Sequence, residues 1–157
     1  QFKFNHKHLL FMNLYGPGDN FDLKNSHVIP AIIKKINLAK KKEREHIILF
    51  GSGNQKREFL FITDAADAIV KSVKKNTTSS LINIGTGKTY SIKFIAKTIA
   101  KLMNYRGKII WDTKINSGIM KKNFNINKAK KELKFIPKIK IEEGLNKTIK
   151  FFLKKND

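Results

Sequence analysis

The sequence contains no cysteine, which excludes disulfide bonds and thiolate metal sites. Acidic residues number only 12 against 33 basic ones, and the net charge is +21. No apolar run approaches the roughly 20 residues that a membrane-spanning helix needs. The amino terminus has no signal-peptide pattern and no initiator methionine, so we expect a cytoplasmic chain that begins within a longer protein.

The scarcity of arginine bears on the meaning of the charge. Only Arg44, Arg57 and Arg106 are arginine, and the other basic residues are lysine. A protein that reads nucleic acid is expected to use arginine forks for guanine and phosphate. No helix-turn-helix or zinc-finger string is present, so we favour a solvated lysine surface and expect no nucleic-acid partner. The positive field still favours an anionic ligand.

A length of 157 residues and an apolar content of 41% allow one domain with a real core. No repeat and no linker divides the chain, so we expect residues 1–157 to form a single compact unit. Short apolar runs alternate with stretches of helical periodicity, which predicts an α/β fold.

The stretch from residue 9 to residue 30 organises the chain. Residues 9–12 are apolar and predict a buried strand, and residues 16–20, Gly-Pro-Gly-Asp-Asn, form a polar loop. A helix is expected after Ser26 as its N-cap, with Pro30 in the first turn. A strand that ends in a polar loop before a helix is where open α/β sheets place ligands.

The rest of the chain predicts further elements with the same signals. Strands are expected at 47–50, 57–62, 81–84 and 108–111, and residues 51–54 are expected to close a hairpin that brings Arg57 beside Phe50. Helices are expected at 64–75 after Thr63, at 92–103 after Ser91, at 129–133 and from residue 141. The predicted buried stripe of the first of these helices consists of Ala65, Ala66, Ile69 and Val73. Asp64 and Asp67 are explained by capping of that helix, and we expect no metal site.

Several strings resemble a known family. Residues 13–17 read Asn-Leu-Tyr-Gly-Pro, residues 19–21 Asp-Asn-Phe, and residues 25–30 Asn-Ser-His-Val-Ile-Pro. Together they resemble the extended short-chain dehydrogenase/reductases, and within that group the GDP-L-fucose synthases. The likeness runs over nearly the whole chain but covers only the C-terminal half of the family's pattern.

The resemblance implies a fold and a set of functional residues. The fold would be the last strands of a Rossmann-like sheet plus a small mixed α/β substrate-binding domain, with the N-terminal dinucleotide-binding part absent. Phe11, Met12, Asn13, Leu14 and His27 would line the nicotinamide end of NADP, and His27 would also be the acid of an epimerisation step. The residues that would bind the GDP-sugar are Lys35, Phe50, Arg57 and Lys122.

Three of these residues also have plain structural interpretations. His27 could simply be a helix N-terminal residue hydrogen-bonded locally, and Phe50 could be strand core. Arg57 could form a surface ion pair with Glu58 or Asp64. The family has an aspartate where Asn125 stands and an acidic residue where Ser117 stands, so the last substrate contacts differ from the family's pattern.

The family's chemistry needs two motifs that this sequence lacks. No glycine-rich dinucleotide turn occurs, and the residues four positions after Tyr15, Tyr90 and Tyr105 are Asp19, Phe94 and Ile109, not lysine. We therefore expect the isolated chain to be inactive and to require its missing N-terminal half, in an enzyme that the resemblance implies is a homodimer. The alternatives are another nucleotide-sugar epimerase or dehydratase, or a stand-alone basic module that binds sugar nucleotides or nucleic acid.

Overall fold

The computed structural model describes residues 6–114 and 118–156. Ser117, one of the two departures from the family's pattern, lies outside these residues. The described strands are β1 (His8–Phe11), β2 (Asn13–Tyr15), β3 (His46–Phe50), β4 (Lys56–Phe61), β5 (Leu81–Ile84), β6 (Thr89–Ser91), β7 (Lys108–Asp112) and β8 (Lys121–Lys122). The described helices are α1 (Val28–Lys41), α2 (Ile62–Lys74), α3 (Ile92–Leu102), α4 (Asn127–Leu133) and α5 (Ile141–Asn156). The predicted α/β class is confirmed.

Most strand pairs are parallel, as in sheets built from strand–helix–strand units. β1 pairs with β5, β2 with β4, and β3 with β7, each in parallel. β4 is the most connected strand, because it also pairs with β6 in antiparallel and with the short β8 in parallel. Three strands therefore converge on β4, which becomes the frame for the residues around it.

The core has two parts that lie on opposite faces of β4. Phe59 and Phe61 belong to a large cluster with the isoleucines of α1, the apolar face of α3 and Phe152 of α5. Leu60 points to the other side, into a smaller cluster with Ile82, Ile84, Leu133 and Phe135. Alternating side chains of a strand face opposite sides, so β4 is buried on both faces.

The starts of two helices differ from the prediction. α1 begins one residue later than expected, with His27 as the extended N-cap instead of Ser26. The reason is a turn around Asp22, whose carbonyl oxygen accepts the backbone N–H of Ser26 at 2.8 Å and so holds Ser26 in the loop. α2 begins earlier than expected, with Phe61 as its N-cap instead of Thr63. Ser91 does cap α3, and its hydroxyl accepts the N–H of Phe94 at 3.1 Å.

The expected hairpin between the second and third predicted strands is wrong. β3 pairs only with β7 among the described strands, in a register that places Phe50 opposite Asp112. β4 follows residues 51–55 but joins β2, β6 and β8. Glycine-rich turns indicate where a chain can reverse, but the partner of β3 is β7, a strand far along the chain, and not the strand that follows the turn.

The expected buried stripe of α2 is also wrong. Ala65 is buried, as predicted, together with Ala68, but Ala66, Ile69 and Val73 are exposed. Val73 is 80% exposed and Val70 is 50% exposed. Helical periodicity identifies an apolar face but does not identify what covers it. No residue of the described ranges buries this face.

Two further properties hold for residues 6–114 and 118–156. No helix there combines the length and the apolar character needed to cross a membrane. No three His, Cys, Asp or Glu side chains in those residues come together as metal ligands would.

Candidate functional site

A cleft of about 310 Å³ opens where β2, β3 and β4 meet the start of α1. Its wall combines apolar side chains with a few polar ones and contains no acidic residue among those described. The lining residues are Asn13, Leu14, Tyr15, His27, Val28, Ile29, Pro30, Phe50, Gly51, Gln55, Arg57, Phe59 and Ile92. We refer to it as the Arg57 cleft.

A second cleft, of about 470 Å³, lies on the other side of the same strand end. It runs along residues 11–19, and His27 and Ile62 also line it. All five residues predicted for the cofactor, Phe11, Met12, Asn13, Leu14 and His27, line this second cleft. Asn13, Leu14, Tyr15 and His27 line both clefts and form the partition between them.

His27 stands at this partition because it is the last extended residue before α1. Its side chain is exposed and makes no capping hydrogen bond to the helix. The interpretation of His27 as a locally capped residue therefore finds no support in its side-chain contacts. His27 lines both clefts, and an imidazole is a side chain suited to proton transfer.

Asp19 shares the second cleft with His27. Its Oδ1 accepts the backbone N–H of Asn20 at 2.8 Å, while its Oδ2 is buried without a hydrogen-bond partner. Burial raises the pKa of the Asp19 carboxyl, and the Asn20 N–H and the charge of His27 oppose that rise. The polar loop thus places a carboxyl group on the same wall as the imidazole.

Phe50 ends β3 at the rim of the Arg57 cleft. Its side chain is 62% exposed, so it is not strand core. The Lys35 ammonium lies 4.7 Å from the centroid of the Phe50 ring and donates to the Ile48 carbonyl oxygen at 2.9 Å. Lys35 is beside the cleft but is not among the residues that line it, and burial lowers the pKa of its ammonium group. A flat apolar surface backed by a cation is thereby presented to the cleft.

Arg57 extends from β4 into the cleft. Its guanidinium donates to the carbonyl oxygens of Lys56 at 3.0 Å and Ile119 at 2.6 Å. The ion pairs with Glu58 or Asp64 that the sequence left open are not formed, because the carboxylates of both acids accept backbone N–H groups. The arginine is held in place by carbonyl groups and retains donors for an anion.

Lys122 is a neighbour of Arg57 across a strand pair. It belongs to β8 and stands opposite Arg57 in the parallel register, with its side chain exposed. It does not line the Arg57 cleft. Asn125, which stands where the family has aspartate, is exposed, and its carbonyl oxygen accepts the Asn83 amide at 3.4 Å.

Sequence reasoning missed two buried polar residues of this region. Gln55 is 4% exposed, lines the Arg57 cleft and donates to the Ser52 hydroxyl at 3.2 Å. Glu58 is fully buried immediately after Arg57. The signal available was a charged residue within an otherwise apolar strand, but the alternation of charged and apolar residues there suggested a solvent-facing side chain.

Comparison with known proteins gives a consistent picture. Residues 1–85, more than half of the chain, match the model of the NAD dependent epimerase/dehydratase family. A GDP-L-fucose synthase of Escherichia coli is 35% identical over 154 residues, which are 92% of this chain and 48% of the relative. A GDP-L-colitose synthase of Yersinia pseudotuberculosis is 36% identical over 158 residues, which cover 99% of this chain and 51% of the relative.

Solved structures agree with the sequence relatives. A GDP-L-fucose synthetase of Naegleria fowleri bound to NADP superposes with a TM-score of 0.87 at 28% identity, and the match covers 96% of this chain and 47% of that one. A UDP-glucose 4-epimerase of Thermotoga maritima superposes with a TM-score of 0.84 at 23% identity, which shows the shared fold. The chain therefore spans about half the length of the relatives that it matches.

Proposed function

Since the chain belongs to the NAD dependent epimerase/dehydratase family, we propose that it supplies the substrate-binding part of a GDP-L-fucose synthase. The full enzyme would convert GDP-4-keto-6-deoxy-D-mannose to GDP-L-fucose by 3,5-epimerisation and NADPH-dependent 4-reduction. The observation that carries the proposal is the convergence of His27, Phe50 and Arg57 on one cleft, from three separate elements. The identity of 33–36% to several GDP-L-fucose synthases supports the choice of substrate.

The residues around the Arg57 cleft suit a sugar nucleotide. The planar guanidinium of Arg57 can bind a diphosphate through two parallel hydrogen bonds. The exposed ring of Phe50 can cover the flat face of a base or a sugar. Lys35 and Lys122 would add positive charge at either side, and the lining holds no carboxylate that would repel the diphosphate.

The second cleft would bind the nicotinamide end of NADP, and the rest of the cofactor would be bound by the N-terminal part. Phe11, Met12 and Leu14 offer the apolar wall that a nicotinamide ring needs. When bound, NADPH supplies the hydride for the reduction. His27 would protonate the sugar carbon during epimerisation, because it stands between the wall for the cofactor and the cleft for the sugar. The glycine-rich turn and the Tyr-x-x-x-Lys pair would come from the missing part, so hydride transfer is not expected from this chain alone.

The surfaces left uncovered suit that missing part. β1 pairs with β5 on one edge, and no described strand pairs with its other edge. Leu10 on β1 is 45% exposed, and Ile69, Val70 and Val73 on α2 are also exposed. We place the N-terminal dinucleotide-binding half against this edge and this helix face, in a homodimeric cytoplasmic enzyme.

Calorimetric titration of the chain tests the proposal. The ligands are GDP-fucose, GDP-mannose, GDP, UDP-glucose and a short DNA duplex, at two salt concentrations. We expect GDP and its sugars to bind, and Arg57→Ala to weaken them roughly tenfold or more. Arg106→Ala is the matched control, because Arg106 is exposed and lies outside the Arg57 cleft.

Three other outcomes would redirect the proposal. Preference for UDP-glucose would indicate a different nucleotide-sugar epimerase. Duplex binding with a steep salt dependence and no response to GDP would indicate a nucleic-acid module. Loss of GDP binding in Arg106→Ala to the same extent as in Arg57→Ala would show that general charge, not the cleft, binds the ligand.

A further inference from the structure

Glu58 is the one fully buried carboxylate among the described residues, and it does not line either cleft. Its Oε1 accepts the backbone N–H groups of Thr86 and of Gly87, the latter at 2.8 Å. Its Oε2 accepts the backbone N–H of Phe124 at 2.9 Å. One side chain therefore joins two segments that are far apart in sequence to the strand that carries Arg57.

The second of these segments, residues 118–124, is held by polar contacts more than by apolar burial. Residues 118–123 are exposed and Phe124 is half-buried, so apolar burial contributes little. Its contacts to β4 include the β8 pairing and two hydrogen bonds, from the Lys56 N–H to the Met120 carbonyl oxygen at 2.7 Å and from the Arg57 guanidinium to the Ile119 carbonyl oxygen. The segment carries Lys122, and Glu58 anchors its C-terminal end.

The turn at residues 85–87 is shaped around the same carboxylate. A Cβ added at Gly85 would overlap Glu58 Oε1, so only glycine leaves space for the carboxylate there. The amide of Asn13, a residue of both clefts, donates to the Glu58 carbonyl oxygen at 2.8 Å. The Glu58 side chain thus contacts residues 86, 87 and 124, and its backbone carbonyl oxygen contacts the cleft residue Asn13.

We propose that Glu58 is a positioning residue that fixes residues 118–124, and with them Lys122, beside Arg57. The proposal rests on the proposed function, because the segment's value lies in the anion that Lys122 and Arg57 would share. A buried carboxylate that accepts several backbone N–H groups is a strong, directional anchor. It acts on the ligand only through the segment it holds.

Glu58→Gln is the sharpest substitution. Its amide oxygen can still accept from Thr86 and Gly87, but its amide N–H then faces the Phe124 N–H, so a donor meets a donor. The turn is kept and the anchor of the segment is lost. Glu132→Gln is the matched control, because Glu132 also accepts two backbone N–H groups, from Thr78 and Ser79, in a loop that lines neither cleft.

Two measurements are made on the chain and on both variants: amide hydrogen exchange and calorimetric titration with GDP. In Glu58→Gln we expect faster exchange at Phe124 and a Kd for GDP raised roughly tenfold. Glu132→Gln should leave both unchanged, because its oxygen can still accept the N–H groups of Thr78 and Ser79 and its amide can donate to the Ser79 hydroxyl. Gly85→Ala should reproduce the Glu58→Gln result by displacing the carboxylate with its charge intact, and it answers the question if Glu58→Gln does not fold.

The outcomes separate this proposal from the proposed function. Unchanged Phe124 exchange in Glu58→Gln and Gly85→Ala overturns the proposal, and so does faster exchange with GDP affinity unaltered. If the unsubstituted chain shows no affinity for GDP, the proposed binding function fails, while exchange at Phe124 still decides whether Glu58 holds the segment.

Discussion

The Arg57 guanidinium donates to the carbonyl oxygen of Ile119 at 2.6 Å, which joins the cleft to the exposed segment that follows β7. The same group is the one that we propose binds the ligand's diphosphate. Because the guanidinium has five N–H donors, it can contact the segment and an anion at once. Arginine, and not lysine, is needed for such a double role.

Arg57→Lys should therefore weaken GDP binding even though the charge is kept. A lysine ammonium cannot form the bidentate contact and retain the Ile119 bond in the same geometry. We expect the Kd for GDP to rise roughly five- to tenfold, at about 1 kcal/mol or slightly more. Calorimetry at two salt concentrations measures it. Arg106→Lys is the control, and an equal loss there would contradict a specific role for Arg57.

Phe50→Ala should affect binding much more than folding. Because the side chain is 62% exposed, its removal should change the free energy of unfolding by less than about 0.5 kcal/mol. Phe152→Ala is the contrasting control, since Phe152 is fully buried and its loss should cost about 3–5 kcal/mol. Urea unfolding measures both values, and calorimetry with GDP measures the affinity. A large loss of stability in Phe50→Ala would show that the ring packs as core.

Much of the local structure was predictable because strands and helices leave their period in the sequence. The strands at residues 81–84 and 108–112 and the Ser91 cap follow the signals closely. Pairing was not predictable in the same way, since β3 joins β7 some 60 residues later and no local residue encodes that choice. The cap of α1 moved because a local turn at Asp22 binds the backbone N–H of Ser26 and so competes with helix formation there.

The candidate site was predictable to a similar degree. His27, Phe50 and Arg57 were named from the resemblance, and the fold brings all three to one cleft. Glu58 was missed because its function depends on the N–H groups of Thr86, Gly87 and Phe124, which only the folded chain places around it. The role of a buried charge can be inferred only from its hydrogen-bond partners, and the partners of Glu58 are distant in sequence.

The pH dependence of stability should report on Asp19. Burial raises the pKa of its carboxyl above the unfolded value, so the folded chain prefers the neutral acid. The associated stability is fully present below the unfolded pKa and is lost as the pH rises through the folded pKa. Asp19→Asn keeps the oxygen that accepts the Asn20 N–H but cannot ionise. We expect it to raise the melting temperature relative to the unsubstituted chain at pH 7 and to have little effect near pH 3.

The contribution of Glu132 to stability should change with pH in the opposite direction to that of Asp19. Hydrogen bonds, first from the Ser79 hydroxyl and then from backbone N–H groups, lower the pKa of this carboxyl. Its contribution is present above the unfolded pKa and is lost as the pH falls through the folded pKa. Ser79→Ala should therefore reduce stability at pH 7 and have less effect in acid. Equal effects at both values of pH would contradict a role for the carboxylate.

The exposed apolar face of α2 should promote self-association of the isolated chain and should be a contact surface in a longer protein. Val73 is 80% exposed, so Val73→Ser should change the free energy of unfolding by less than about 0.5 kcal/mol. Ala68→Leu, on the buried face of the same helix, should cost about 1–3 kcal/mol by overpacking. Self-association, measured by sedimentation, and the binding of an apolar dye should both decrease in Val73→Ser, because an uncovered apolar patch promotes association.

In a protein that includes the N-terminal half, Val73→Ser should instead lower the free energy of unfolding by about 1 kcal/mol or more, since the side chain would then be buried. An unchanged stability there would show that the proposed N-terminal half contacts another surface.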